Sequence, residues 1–224
     1  MATPVRIDFV SDVSCPWCAV GLKSLQQAID RVGDAVDVEL HFQPFELNPR
    51  MPPEGEDSDE HLARKYGASA EQLAQNREVL RQRGAALGFE FNRRSRVYNT
   101  FDAHRLLHWA GTLGRSQELA LKQTLLRAYF TDDLDVSSHE VLADAAATAG
   151  LDRDEALQVL GSDRHADDVR AREQLYQRRG ISAVPSVIIN DRHLIQGGQP
   201  PEVFEQALRQ IAAAAPSDQA LAGR

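Results

Sequence analysis

The hydrophobic pattern of this 224-residue chain predicts an α/β fold interrupted by a block of helices. Three observations carry that reading. The chain opens with an apolar run, a helical pattern and then a stretch of period-two alternation. From Ser58 to about Gly180 the pattern is helical throughout. Beyond that, two short apolar segments return and a last amphipathic helix follows them.

Val5 to Val10 (VRIDFV) reads as the first strand. The stretch Pro16 to Val32 reads as a helix, with Val20, Leu22, Leu25 and Ile29 as its apolar contacts. Val36 to Phe42 alternates and is the second strand, so the opening is β-α-β and the two strands are expected to run parallel. Pro44, Pro49, Pro52, Pro53 and Gly55 then punctuate a linker. About six helices are expected in the block that follows. Ser69 with Gln72, Ser137 with Glu140, and Asp152 with Glu155 have capping-box spacing. Glycines 67, 88, 114, 150 and 180 stand where helices should stop. Val187 to Asn190 and His193 to Gln196 are short strands joined by an Asn190-Asp191 turn. Pro201 to Ala215 is a helix with Val203, Phe204, Leu208 and Ile211 on one face, and Pro216 to Arg224 is expected to fray.

Composition narrows the function. Hydrophobic content of 42% permits a packed core, and a net charge of -8 argues against a broad affinity for nucleic acid or for an acidic membrane. No run approaches the roughly 18 apolar residues of a membrane span, and the N-terminus lacks a signal-peptide pattern. A cytoplasmic location is therefore expected.

In that setting Cys15 and Cys18, the two cysteines of the chain, point to catalysis more than to a structural staple. They frame Pro16 and Trp17 at the predicted strand-to-helix junction, a redox arrangement more often than a metal site. Unsatisfied N–H groups and the dipole at a helix N-terminus favour a thiolate. An unperturbed thiol, with a pKa of about 8.5, is only about 3% ionised at pH 7. Cys15 is accordingly expected to attack and Cys18 to resolve. Pro16 suits the first helical turn, where its missing N–H costs nothing. Trp17 is expected to be partly exposed, facing substrate. A zinc site made of both cysteines with His104 and His108 is the weaker reading, because the pairs lie much farther apart than the roughly 12–15 residues of a zinc finger. No metal is expected. Asp12 either carries a proton for Cys18 or caps a turn. Arg93, Arg94 and Arg96 form a basic cluster that reads better as solvated surface than as an anion site.

The stretches DVSCPWCAVG (12–21), NTFDAHRLLHWA (99–110) and GISAVPSVIINDRHLIQGGQPPE (180–202) together resemble the thioredoxin superfamily, and more narrowly the DsbA-like proteins of the FrnE type. That resemblance implies a thioredoxin-like fold (β-α-β … β-β-α) divided into 1–54 and 181–224, with an all-helical domain inserted at 55–180. It implies a protein disulfide oxidoreductase or isomerase that works through a mixed disulfide on Cys15, with protein or small-molecule disulfides and dithiols as substrates. Pro185 aligns with the superfamily's cis-proline beside the dithiol, which would leave the Val184 N–H and C=O free to pair with an extended substrate. In similar proteins the helix after Asn99 abuts the dithiol, making Asn99 and His104 candidate substrate-facing groups; a histidine satisfied at a helix contact is the alternative for His104, and more so for His108. No resident cofactor is implied, although glutathione is a possible redox partner, and both monomers and homodimers occur among similar proteins. The competing reading is a glutathione-dependent isomerase or transferase of the 2-hydroxychromene-2-carboxylate isomerase and kappa class. Such proteins typically carry serine where Cys15 stands and an aspartate near Gly198-Gln199, where this chain has GGQPPE.

Overall fold

The computed structural model describes residues 2–214. The expected fraying of Pro216 to Arg224 lies outside the described residues. Strand β1 (Thr3–Ser11) leads into α1 (Pro16–Val32), and β2 (Val36–Pro44) follows after a short 3-10 turn. β1 and β2 pair in parallel, with Thr3 opposite Val36 and Ser11 opposite Pro44. The late strands β5 (Ser186–Ile189) and β6 (His193–Gln196) join the same sheet, in the order β2-β1-β5-β6. β5 runs antiparallel to β1 and β6 antiparallel to β5. Asn190 and Asp191 make the turn with φ of 51° and 56°. The Arg192 N–H closes this turn onto the Ile189 carbonyl at 3.1 Å, within a three-residue connection, and a turn of this hand requires positive φ at both central residues, which Asn and Asp tolerate best.

β1 lies between β2 and β5 and is buried from Ile7 onward, with Val5, Ile7, Phe9 and Val10 all fully buried. α1 buries Cys18, Leu22, Leu25, Ala28 and Val32, a stripe at helical spacing. Its end is marked by Gly33 at φ 57°. α9 (Pro201–Ala214) packs against α1 through Phe204 and Leu208, and Arg31 clamps the pair by reaching Glu202 at 2.8 Å.

Between β2 and β5 lie α2 (Ser58–Tyr66), α3 (Ala70–Ala86), α4 (Phe101–Leu113), α5 (Arg115–Phe130), α6 (His139–Thr148), α7 (Arg153–Leu160) and α8 (Ala166–Arg178). α4, α5 and α8 pack against β2, so one apolar core runs from the sheet into the helices. The sequence pattern needs three corrections here. Seven helices are present among the described residues rather than about six. The stretch is not helical throughout, because Glu56–Asp57 (β3) and Arg96–Val97 (β4) pair as a small antiparallel ribbon. Two residues are too few to show a period. Ser137 does not open a capping box: its N–H and hydroxyl both turn back to Asp135, and Ser138 precedes the helix. The Ser69–Gln72 box forms in both directions, and Asp152 accepts from the Glu155 N–H at 2.8 Å. No helix of the described residues is long and apolar enough to cross a membrane.

Candidate active site

β1 ends at Ser11, and the next four residues deliver the chain to the N-terminus of α1. Cys15 occupies the N-cap position with extended backbone (φ -90°, ψ 114°), and Pro16 follows at the first helical position. The Cys15 carbonyl accepts from the Cys18 and Ala19 N–H groups at 3.0 and 3.4 Å, which brings Cys18 round beneath Cys15. Both cysteines are free thiols, Cys18 fully buried and Cys15 only 4% exposed.

The electrostatics separate the two thiols. Cys15 is held below the ordinary thiol range, first by hydrogen bonding from the Cys18 thiol and then by the Cys18 and Trp17 N–H groups, against burial and the Asp12 charge. Burial pushes Cys18 well up, and its bond to Cys15 and the Cys15 charge push it the same way. This is the asymmetry a nucleophile and a resolving thiol need.

The second half of the chain closes over the pair. The Val184–Pro185 peptide is cis, and the Val184 carbonyl lies 3.7 Å from Cys15 Sγ. Pro185 rests on α1 at Gly21, where an added Cβ would stand 3.1 Å from Pro185 Cγ. Gly198 approaches the Trp17 carbonyl just as closely, at 3.0 Å from a Cβ built there. A side chain there would force the two backbones apart by a few tenths of an ångström. Trp17 itself is 37% exposed.

Beneath the dithiol Asp12 is fully buried. It accepts from the Ser14 N–H (3.2 Å), the Ser14 hydroxyl (3.0 Å) and the Leu47 N–H (2.7 Å). His104 Nε2 lies 3.2 Å from the Phe45 carbonyl and 3.5 Å from Asp12 Oδ1. Facing two acceptors, that nitrogen carries the proton. Burial raises the Asp12 carboxyl, but the His104 bond and charge and the two N–H donors outweigh it and hold it below its ordinary range.

The sequence-derived residues therefore divide. Cys15, Pro16, Trp17 and Val184 share the wall of one cavity of about 360 Å³. Pro185 does not line it and packs instead on Gly21 of α1. Asn99 accepts from the Phe101 N–H at 2.9 Å and so starts α4, and His104 is engaged with Asp12; neither lines the cavity. His108 points elsewhere, its Nε2 lying 3.6 Å from Asp168, so neither histidine converges on the cysteines as the zinc reading would need. The cavity's opposite wall was not legible in sequence. It comprises Leu47 and Asn48 after β2, His61, Leu62, Lys65 and Tyr66 of α2, Leu73, Asn76, Arg77, Val79 and Leu80 of α3, and Arg94. Of the basic cluster, Arg93 pairs with Asp59 and Arg96 holds the Glu54 and Gly55 carbonyls, while Arg94 turns to the cavity. Lys122 of α5 was also missed. It is fully buried, its Nζ has no hydrogen-bond partner, and it lies 5.7 Å from the Phe42 ring centroid. Burial pulls its pKa down, against the charges of Cys18, Asp12, Glu118 and Cys15.

A sheet in this order with a dithiol capping its first helix and a proline loop laid across it defines a thioredoxin-like protein. Residues 6–209 match the DSBA-like thioredoxin domain, and the chain belongs to that family. A Streptomyces coelicolor protein described as a probable DsbA oxidoreductase is 34% identical, with a TM-score of 0.85 over 95% of this chain and 92% of that one. The uncharacterised protein YwbO of Bacillus subtilis strain 168 is 27% identical over 211 residues, covering 91% of this chain and 96% of that protein. The cytosolic disulfide reductase DsbM of Pseudomonas aeruginosa, solved with GSH, shares the fold at 15% identity, with a TM-score of 0.64 over 92% of this chain and 98% of that one.

Proposed function

We propose that this protein is a thiol–disulfide oxidoreductase of the FrnE type in which Cys15 attacks and Cys18 resolves. The observation that carries the reading is the state of the two thiols. One is lowered at a helix N-terminus and opens on a cavity beside a backbone carbonyl. The other is raised and sealed beneath it. The Cys15 thiolate attacks one sulfur of a substrate disulfide, a Cys15–substrate disulfide forms, and the first substrate thiolate leaves and takes up a proton. Cys18 then loses its proton and attacks Cys15 Sγ. The second substrate thiolate departs, leaving the Cys15–Cys18 disulfide and two reduced substrate thiols. Run backwards, the same steps oxidise a dithiol. The Val184 carbonyl, beside Cys15 Sγ and followed by Pro185, accepts from an N–H of the substrate. Asn99 and His104 act from behind as positioning residues, through α4 and Asp12.

The glutathione-dependent isomerase reading finds less support. The 2-hydroxychromene-2-carboxylate isomerase fold is shared, with a TM-score of 0.67, but at 14% identity. Glu202, the carboxylate nearest Gly198-Gln199 in sequence, is taken by Arg31 in the last turn of α1 and does not line the cavity.

The test is disulfide exchange by the reduced protein. Cys15→Ser is expected to abolish it, and Cys18→Ser to stop at a trapped mixed disulfide seen by mass spectrometry. Full exchange by Cys15→Ser would end the proposal. The equilibrium constant of the pair against glutathione sets which way the electrons run.

A further inference from the structure

An attacking thiol that served folded or unfolded polypeptides at large would gain from a flat, open approach. Cys15 has the reverse. It is 4% exposed and is reached through a cavity of about 360 Å³, roofed by α2 and α3. That volume lies in the range of small-ligand sites, roughly 300–1,000 Å³, whereas a stable protein interface takes about 800 Å² from each partner.

The charge inside is the second observation. The chain carries a net charge of -8, yet no aspartate or glutamate lines this cavity, and four basic side chains do. Two of the four are already matched, Arg77 by Asp59 and His61 by Glu56. Lys65 and Arg94 have no carboxylate partner among the described residues. Both are nevertheless held in place, and by neutral groups. Lys65 Nζ donates to the Leu47 carbonyl (2.9 Å) and to Asn48 Oδ1 (2.6 Å). Arg94 donates to the Tyr129 hydroxyl (3.0 Å), with its guanidinium 5.2 and 5.1 Å from the Tyr129 and Phe130 ring centroids. Neutral anchors fix the geometry of each cation without placing a carboxylate in contact with it, which is the preorganisation an anion site needs. Leu62 and Leu80 supply apolar contact for the rest of such a ligand.

We propose that this cavity binds a low-molecular-weight disulfide or thiol bearing carboxylate groups, with Lys65 and Arg94 as its anion-binding residues, and that this class of molecule is the substrate of Cys15. The proposal rests on the thiol–disulfide reading above. It also answers a kinetic difficulty. An anionic disulfide approaching an anionic thiolate is repelled, and two fixed cations in the cavity wall reverse the sign of that encounter.

The experiment compares three small disulfides of similar length: dithiodiglycolate with two carboxylates, hydroxyethyl disulfide with none, and cystamine with two ammonium groups. Second-order rate constants for reaction with the reduced full-length protein are measured by stopped flow, at low and high salt. The expected order is dithiodiglycolate, hydroxyethyl disulfide, cystamine, with the spread shrinking in salt. Free dithiothreitol thiolate should give the opposite order. Lys65→Gln and Arg94→Gln should each lower the ratio of anionic to neutral rate constant by about 10-fold, the scale of one charge-assisted hydrogen bond. Lys65→Arg should restore part of it. Binding of dithiodiglycolate to Cys15→Ser, followed by calorimetry, should weaken in the same two variants. Equal rates for the three disulfides, unchanged ratios in the variants, or faster reaction with the disulfides of insulin would overturn the proposal and leave the dithiol reading intact. Absence of exchange with every disulfide would instead overturn the dithiol reading, and failure of dithiodiglycolate to bind Cys15→Ser would then overturn the site as well.

Discussion

Asp12 sets the tension within the dithiol. Its charge opposes the Cys15 thiolate, while the Cys18 thiol and two backbone N–H groups favour it. The Cys15 thiolate should therefore appear below the ordinary thiol pKa of about 8.5, and removing the Asp12 charge should move it lower still. Asp12→Asn is expected to shift the pH midpoint of Cys15 alkylation by iodoacetamide downward; an upward shift would contradict the assignment. The same substitution has a cost. The folded carboxyl lies below its unfolded value of about 3.9, so its contribution to stability is present above that pH and is lost as the pH falls through the folded value. Asp12→Asn should lower stability at neutral pH by about 1–3 kcal/mol, the usual cost of disturbing a buried hydrogen-bonded group, and should flatten the acid limb of the melting curve. At this scale the sequence was informative about chemistry and silent about contacts. Cys15 and Cys18 announced themselves by spacing. Asp12 remained open between two roles because its partners, Leu47 and His104, lie in distant parts of the chain.

At the scale of elements, the last turns of α3, a helix whose earlier turns line the cavity, lie close to the segment Phe89–Phe91. Gly84 permits it: a Cβ built there would stand 2.5 Å from the Phe89 carbonyl, with the Phe91 ring as near. Replacing a helical glycine with alanine ordinarily gains about 1 kcal/mol. Gly84→Ala should do the opposite, because a backbone carbonyl and a packed ring cannot both retreat. A lowered Tm is expected, together with slower exchange as α3 lifts from the site. Gly111→Ala is the control. Its Cβ would meet the movable end of Glu118, 3.2 Å away at Glu118 Cδ, and an unchanged or higher Tm is expected. Thermal melts of the two variants decide the matter. Element types were largely legible, since α1, β2, α9 and the Ser69 cap all follow from local pattern. The ribbon of β3 and β4 was not, because its pairing joins Glu56 to Val97 across some forty residues.

The whole molecule brings Lys122 of α5 to the dithiol. Lys122 is an unpaired amine buried against β2, and its charge pulls the Cys18 pKa down against burial. Lys122→Met keeps the length of the side chain and removes the charge. Without it Cys18 should be still harder to ionise, so the mixed disulfide with substrate should live several-fold longer, as followed by acid quench and mass spectrometry. Stability should hold or rise, because replacing a buried unpaired cation with an apolar group removes a desolvation cost. A shorter-lived mixed disulfide would show that Lys122 does not assist the resolving step.

Sequence alone determined the order of elements and where its two cysteines fall: a Cys-Pro-Trp-Cys stretch at a strand-to-helix junction, and an α/β sheet split by helices. These are local signals, carried by residues within a few positions of one another. Tertiary structure decided what surrounds the dithiol. Lys65, Arg94 and Lys122 come from three separate segments far along the chain from Cys15, and no motif or spacing in the sequence singles them out. Their roles arise from burial and from the absence or presence of a partner, which depend on three-dimensional packing and leave no period or spacing in the chain.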